Sequence, residues 1–274
     1  MDIQQRCGNY LLHERLNEGG NAEIFVATNR KHKQVIVRRL LPKFKWDFFK
    51  RSEFVRGLQI QSQMKHPCIV QILELVRFSK VPFAAMEYIE GMDLRRAMIR
   101  RNGELGDPFP LICQMVEGLL YVHQQGYLHL DYKPENVMLN PQDKIKLLDF
   151  DLSERIHHIP RRQSNVKGTP SYLAPEQIRR EPVDERTDIF ALGLTAYELL
   201  TRKKPFKAQE QQEIFKEVCD VQSAFAPPRS INPSVPPLLD RIVCRCLEKS
   251  PERRYPSVSL ILRDLQKSRV LSPA

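Results

Sequence analysis

Between Tyr10 and about Glu90 the apolar residues come in short runs broken by polar and turn-forming ones: YLLHERL, EIFVAT, QVIVRRL, IVQILELVRF and VPFAAMEYI. Runs of this length, rich in β-branched and aromatic side chains, predict strands. One helical stretch interrupts them, from about Asp47 to Lys65, with Phe54, Leu58 and Met64 near one face and His66-Pro67 as its stop. The stop follows because the residue before a proline is driven out of helical geometry. After Gly91 the apolar positions recur at helical spacing over Pro110–Gln125, Asp188–Thr201, Leu238–Glu248 and Ser257–Ser268. A strand-rich part followed by a helical part predicts an α+β fold of two lobes, about residues 10–89 and 90–268, with tails at 1–9 and 269–274. The proline-rich FAPPRSINPSVPP reads as an ordered loop, since helical patterns resume at once, and no second domain is expected.

Composition narrows the function classes. With 274 residues, 42% of them hydrophobic and 28% charged, the chain is ordinary for a globular protein. Leu111–Val122, a long apolar run, is broken by Gln114 and Glu117 and is too short and polar to span a bilayer. MDIQQRCGNY lacks the basic start and apolar stretch of a secretory signal. A cytoplasmic protein with no membrane partner is therefore expected. Of six scattered cysteines only Cys244 and Cys246 are close, which predicts free thiols. The net charge of +10 would suit nucleic acid, but the basic residues read as spread along the chain rather than interleaved with aromatics. An acidic or phosphorylated protein partner is expected, and no nucleic acid.

The chemistry concentrates in HLDYKPENVML and the IKLLDFD that follows it. Phosphoryl transfer needs a carboxylate near the attacking hydroxyl, oxygen ligands for a metal, and positive charge where negative charge accumulates. His129, Asp131, Lys133, Pro134, Glu135 and Asn136, followed by Asp149 after an apolar strand, supply such a set, whereas a merely solvated loop would not require this spacing. These segments resemble the catalytic and metal-binding loops of the eukaryotic-type (Hanks-type) serine/threonine protein kinases, and GTPSYLAPE resembles the end of their activation segment. The resemblance runs from about Tyr10 to Leu265.

It implies a bilobal kinase fold with a cleft near Met86 to Asp93, a protein substrate, and ATP and Mg2+ as cofactors. Asp131 matches the catalytic base, Lys133 the lysine beside the transferred phosphate, and Thr169 a threonine hydrogen-bonded to the base. Asn136 and Asp149 match the metal ligands. LNEGGNAEIFVA resembles the glycine-rich loop over the phosphates, bringing Asn17, Gly19 and Ile24 into the nucleotide set. Ile36, Arg38 and Met138 join it, with Met86, Glu87 and Ile89 of the hinge-like MEYIEGMDL and Asp93 at the ribose position. The resemblance further implies a buried Glu176–Arg254 ion pair and a bracing role for Asp188.

Several positions depart from the family pattern. Arg38 stands for the phosphate-holding lysine, and arginine is a planar fork rather than a point charge. Ile36 replaces a small alanine, and Asn17 and Ala22 replace two glycines. Nine residues before His66, where the helix glutamate that pairs the lysine is expected, stands Gly57. Glu53, one turn earlier, is either Arg38's partner, using room left by Gly57, or a solvated helix residue. Gln61 puts a polar group in an apolar spine, and Leu130 replaces a phosphate-receiving arginine, so control by activation-loop phosphorylation is less expected. Asp149-Phe150-Asp151 ends in an acid instead of glycine, either an extra acid near the metal or a changed loop. Two readings stay open. One is an ATP-dependent serine/threonine protein kinase of low or atypical activity, and the other a pseudokinase acting as a protein-binding or nucleotide-sensing scaffold.

Overall fold

The computed structural model describes residues 6–18, 20–100, 106–158, 161–162 and 166–271. The chain divides into two compact units: residues up to Glu90 with Leu148–Asp151 form one, and Gly91–Leu147 with residues from Leu152 onward form the other. The strand-rich first unit and helical second unit are those of the bilobal α+β class the sequence predicts.

In the first unit β1 (Arg6–Cys7), β2 (Tyr10–Glu18), β3 (Ala22–Thr28), β4 (Gln34–Leu40), β5 (Ile72–Val76) and β6 (Phe83–Glu87) form one antiparallel sheet in the order β1-β2-β3-β4-β6-β5, with helix α1 over Phe48–Gln63. Because successive strand residues point to opposite faces, the sheet sorts its side chains into two sets. Tyr10, Leu12, Phe25, Ala27, Val35, Val37, Phe83 and Ala85 make one buried cluster. Ala22, Leu40, Ala84 and Met86 make a second with Phe54 and Leu58 of α1, both fully buried. Truncating an aromatic so placed costs about 3 to 5 kcal/mol, so this contact is what fixes α1 on the sheet. The register sets Ile24, Arg38 and Ala84 side by side, and next to them Val26, Ile36 and Met86. Arg38 therefore lies on the α1 face, while its neighbour Arg39 points the other way and pairs with Glu23 at 2.7 Å.

Helix α1 starts where Asp47 accepts a hydrogen bond from the Lys50 amide, a side-chain cap that the orphan N–H groups of a helix start require. It ends at Gln63, two residues before the predicted limit, as Met64 turns extended ahead of His66-Pro67. Gln61 is buried but satisfied, its Nε2 donating to the Val70 carbonyl at 3.0 Å.

The second unit holds β7 (Met92–Asp93), α2 (Leu94–Arg100), α3 (Pro108–Gln124), β8 (Tyr127–Leu128), β9 (Val137–Leu139), β10 (Ile145–Leu147), β11 (Glu154–Arg155), β12 (Arg161–Arg162), α4 (Pro175–Ile178), β13 (Pro182–Val183), α5 (Glu185–Thr201), α6 (Gln211–Cys219), α7 (Pro228–Ile231), α8 (Pro237–Cys246) and α9 (Val258–Leu271). Helix α5 is buried from Thr187 to Thr201, as a helix apolar nearly all round must be. Gly193 lets it approach α8, since a Cβ there would lie 2.7 Å from Cys246 Cβ. The short α7 falls inside the proline-rich stretch read as loop. No helix among the described residues is long and apolar enough to cross a membrane.

The expected Glu176–Arg254 pair forms, with Arg254 Nη1 and Nη2 donating to Glu176 at 2.7 and 2.9 Å and both side chains almost fully buried. Thr187 Oγ1 also donates to Glu176, and Arg254 donates to the carbonyls of Glu248 and Arg186. Replacing Arg254 by alanine leaves the Glu176 carboxylate buried without its counter-ion. The expected loss is about 3 to 5 kcal/mol in urea unfolding, whereas a loss below about 1 kcal/mol, the scale of an exposed pair, contradicts the assignment.

Candidate functional site

In the helical unit, the segment between β8 and β9 is held by Asp188, fully buried in the first turn of α5. Its carboxylate accepts from the amides of His129 and Leu130 at 2.7 Å each and from His123 Nε2 at 2.8 Å. Burial alone would raise its pKa, but the hydrogen bond and charge of His123 and the groups at His129 hold it below the ordinary carboxylate value. Leu130, with φ of 62°, turns its side chain into an apolar cluster with Leu128 and Val183. This accounts for an apolar residue where the family has arginine.

That brace presents Asp131. Lys133 Nζ donates to Asp131 Oδ2 at 2.7 Å and to Thr169 Oγ1 at 2.8 Å. Asn136 Nδ2 donates to the Asp131 carbonyl at 2.8 Å and to its carboxylate at 3.1 Å. Four residues of the predicted set thus converge. One expected bond differs: Thr169 is joined to Asp131 through the Lys133 ammonium rather than directly. A network that the sequence did not suggest supports the segment before α4, where Arg95 donates to Glu135 at 2.9 Å and also reaches Glu198 and Tyr172. Burial, then the Glu198 carboxylate, pushes the Tyr172 hydroxyl well above its ordinary pKa, so it acts as a donor.

The strand-rich unit carries a second cluster. Arg38 is buried, and its guanidinium grips Asp151 with both arms, Nη1 to Oδ1 at 2.8 Å and Nη2 to Oδ2 at 2.7 Å. Nη2 also reaches Asp149 Oδ1 at 3.1 Å, an oxygen that accepts the Asp151 amide at 3.3 Å. Asp149 has φ of 61°, a left-handed conformation that aspartate tolerates better than most residues. The side chain of Asp151 is 12% exposed and that of Asp149 35%, so the first is the structural carboxylate and the second the accessible one. Burial, opposed by Arg38 but helped by the charge of Asp149, pushes the Asp151 carboxyl above its ordinary value.

This corrects two expectations. Asp151, and not Glu53, is the acid that grips Arg38, while Glu53 lies 3.9 Å from Lys50. Nor does Gly57 leave room beside Arg38. A Cβ on Gly57 would stand 2.7 Å from Asp151 Cα and 2.7 Å from its Oδ1. The glycine is there because the backbone of Asp151 runs against α1, where Arg56 also donates to the Asp151 carbonyl at 3.3 Å.

The other predicted nucleotide residues fall as follows. Asn17 stands opposite Ile24 at the end of the β2–β3 hairpin, and Gly19 lies outside the described residues. Ile36 and Ile89 pack against the cluster that contains Met86. Glu87 commits its amide to the Gln71 carbonyl. In the helical unit Asp93 faces Met138 across β7 and β9, and its carboxylate caps α2 by accepting the Arg96 amide at 2.8 Å.

The sequence profile of the protein kinase domain matches residues 10–264. The chain belongs to this family. It is 32% identical over 263 residues to a probable serine/threonine-protein kinase of Clostridium acetobutylicum, covering 93% of this chain and 39% of that protein. It is 32% identical over 276 residues to the tyrosine-protein kinase MasK of Myxococcus xanthus, covering 93% and 42%. It is 30% identical over 272 residues to the serine/threonine-protein kinase PknB of Mycolicibacterium smegmatis, covering 96% and 43%. The chain thus spans 39% to 43% of the length of these relatives.

Within the family pattern, the signal that sequence reasoning passed over was a charge moved rather than lost. An acid is missing at residue 57 and a new one stands at residue 151. Gly57→Glu alone should therefore destabilise by about 1 to 3 kcal/mol, the cost of overpacking. Adding Asp151→Gly should recover part of that loss in urea unfolding, because it removes the Oδ1 overlap and the tie to Arg38, which lets the backbone at residue 151 draw away from α1 and leaves Arg38 as a cation for the new glutamate to meet. Losses that simply add would contradict the exchange.

Proposed function

We propose that this chain is a kinase domain that transfers the γ-phosphate of ATP to a serine or threonine hydroxyl of a protein. The observation that carries the reading is the convergence of Lys133 Nζ on both Asp131 and Thr169. A carboxylate so held can orient an incoming hydroxyl and take its proton, and the ammonium beside it offsets charge on the phosphate being transferred. A lysine two residues after the base is the serine/threonine pattern. Six cysteines, none in a disulfide, suit a reducing, cytoplasmic compartment.

The donors present fit Mg2+. No cluster of three or more His, Cys, Asp or Glu among the described residues could hold a metal by protein alone. Magnesium asks for less, one or two protein oxygens with water and phosphate completing the shell. Asn136 directs its Nδ2 at Asp131, so its Oδ1 is the ligand atom, and the partly exposed Asp149 is the carboxylate. When bound, the ion supplies positive charge at the phosphate oxygens. Asn17, Gly19, Ile24, Ile36, Arg38, Met86, Glu87, Ile89, Asp93 and Met138 are the proposed nucleotide residues. For Glu87 the contact falls to the carbonyl, because its amide is engaged.

One observation favours the scaffold reading instead. Arg38 makes three hydrogen bonds to Asp149 and Asp151, which leaves fewer of its donors for a phosphate. The two readings separate in one pair of measurements: nucleotide binding by thermal shift with and without Mg2+, and phosphate incorporation into the chain itself or into casein. The kinase reading expects phosphoserine or phosphothreonine, lost in Asp131→Asn while nucleotide binding persists. Arg38→Ala should weaken that binding by about 1 to 3 kcal/mol, the scale of a charge-assisted hydrogen bond. Nucleotide binding with no incorporation by the parent would make the domain a scaffold.

A further inference from the structure

Four aromatic side chains of the strand-rich unit are left in solvent: Trp46, Phe48, Phe49 and Phe78 are 81%, 76%, 84% and 90% exposed, more than any other large apolar side chain described. Such exposure forfeits burial worth having and needs a reason. The four are gathered. Trp46, Phe48 and Phe49 lie at the start of α1, where Phe48 and Phe49 meet edge to face at 6.0 Å. Arg51, one turn along α1, donates to the carbonyls of Arg77, Ser79 and Lys80 at 3.1, 2.9 and 3.2 Å, which ties the loop carrying Phe78 to the same helix turn.

Cations accompany the rings. Lys43 lies 5.2 Å from the Phe44 ring centroid, Lys45 5.8 Å from Trp46 and Arg77 5.2 Å from Phe78. Lys50, Arg51 and Lys80 complete six cationic side chains in residues 43–51 and 77–80, against the single carboxylate of Asp47, which is engaged in capping α1. Aromatic rings beside lysine and arginine are the composition of the membrane interface. There the ring sits among headgroups and the cation meets anionic lipid. The segment FKWDFFKR thus interleaves basic and aromatic residues, contrary to the spread reading of the +10 charge.

We infer that this patch docks the domain on an anionic lipid surface. The chain needs no spanning helix for this, so the expectation of no membrane partner does not stand against it. The sequence provides its own probe, because Trp46 is the single tryptophan. Mixed with vesicles of phosphatidylcholine containing about one-third phosphatidylglycerol, the full chain should co-sediment and its tryptophan emission should shift to the blue. Pure phosphatidylcholine vesicles, or the anionic ones in high salt, should bind at least about tenfold more weakly. Phe49→Ser with Phe78→Ser should lower vesicle affinity by a similar factor while leaving the thermal midpoint unchanged, because both rings are exposed; Lys43→Glu with Lys45→Glu should do the same. Emission that stays red with anionic vesicles present overturns the inference. So does a blue shift that depends on protein concentration without vesicles, which would mark a contact between copies, or equal binding to neutral and anionic vesicles.

Discussion

A buried guanidinium has to be neutralised where it lies, and in the strand-rich unit that demand is met by the two-armed pair between Arg38 and Asp151. Taking both charges out of water costs several kcal/mol each before their attraction offsets it, so removing one partner is far worse than never having the pair. Much of the local structure follows. Asp151 comes near enough only if its backbone runs against α1, which requires glycine at residue 57. Asp149, two residues earlier, then shares the same guanidinium and takes a left-handed backbone. In the family pattern the acid sits on the helix. Here an acid sits on the segment that carries Asp149, so Arg38 fastens that segment.

The helical unit solves the same electrostatic problem three times, each time around a loop. Asp188 spends its carboxylate on two backbone amides and a histidine, Glu176 is closed by Arg254 and Thr187, and Glu198 by Arg95 and Tyr172. Each network fixes a stretch of chain that has little regular structure of its own. The loop from His129 to Asn136 and the segment around Thr169 are therefore held by side chains rather than by sheet or helix. That is the preorganisation an oriented carboxylate needs.

What the sequence made legible follows the range of the interactions. Helices α3, α5, α8 and α9 and the sheet strands announce themselves through local periodicity, and the Asp131 to Asn136 spacing is itself a local motif. The Glu176–Arg254 pair was legible only through resemblance. Asp151 as the partner of Arg38 was not legible, because it joins residues 113 apart and no rule of local spacing links them. Reasoning from helix spacing pointed to Glu53, which shares the helix with Gly57. The proline-rich stretch hid α7 because proline at the first turn of a helix looks the same in sequence as proline in a loop. The resemblance pairs Thr169 directly with Asp131, and the Lys133 ammonium between them is enough to change the partner.

A double-mutant cycle in urea unfolding measures whether Arg38 and Asp151 act as the direct pair their geometry describes. Arg38→Met and Asp151→Leu should each destabilise, and the double variant should lose at least about 1.5 kcal/mol less than the sum, a coupling of the size seen for residues in one ionic network. Single-variant losses that add within about 0.5 kcal/mol would show two independent sites and would contradict the account.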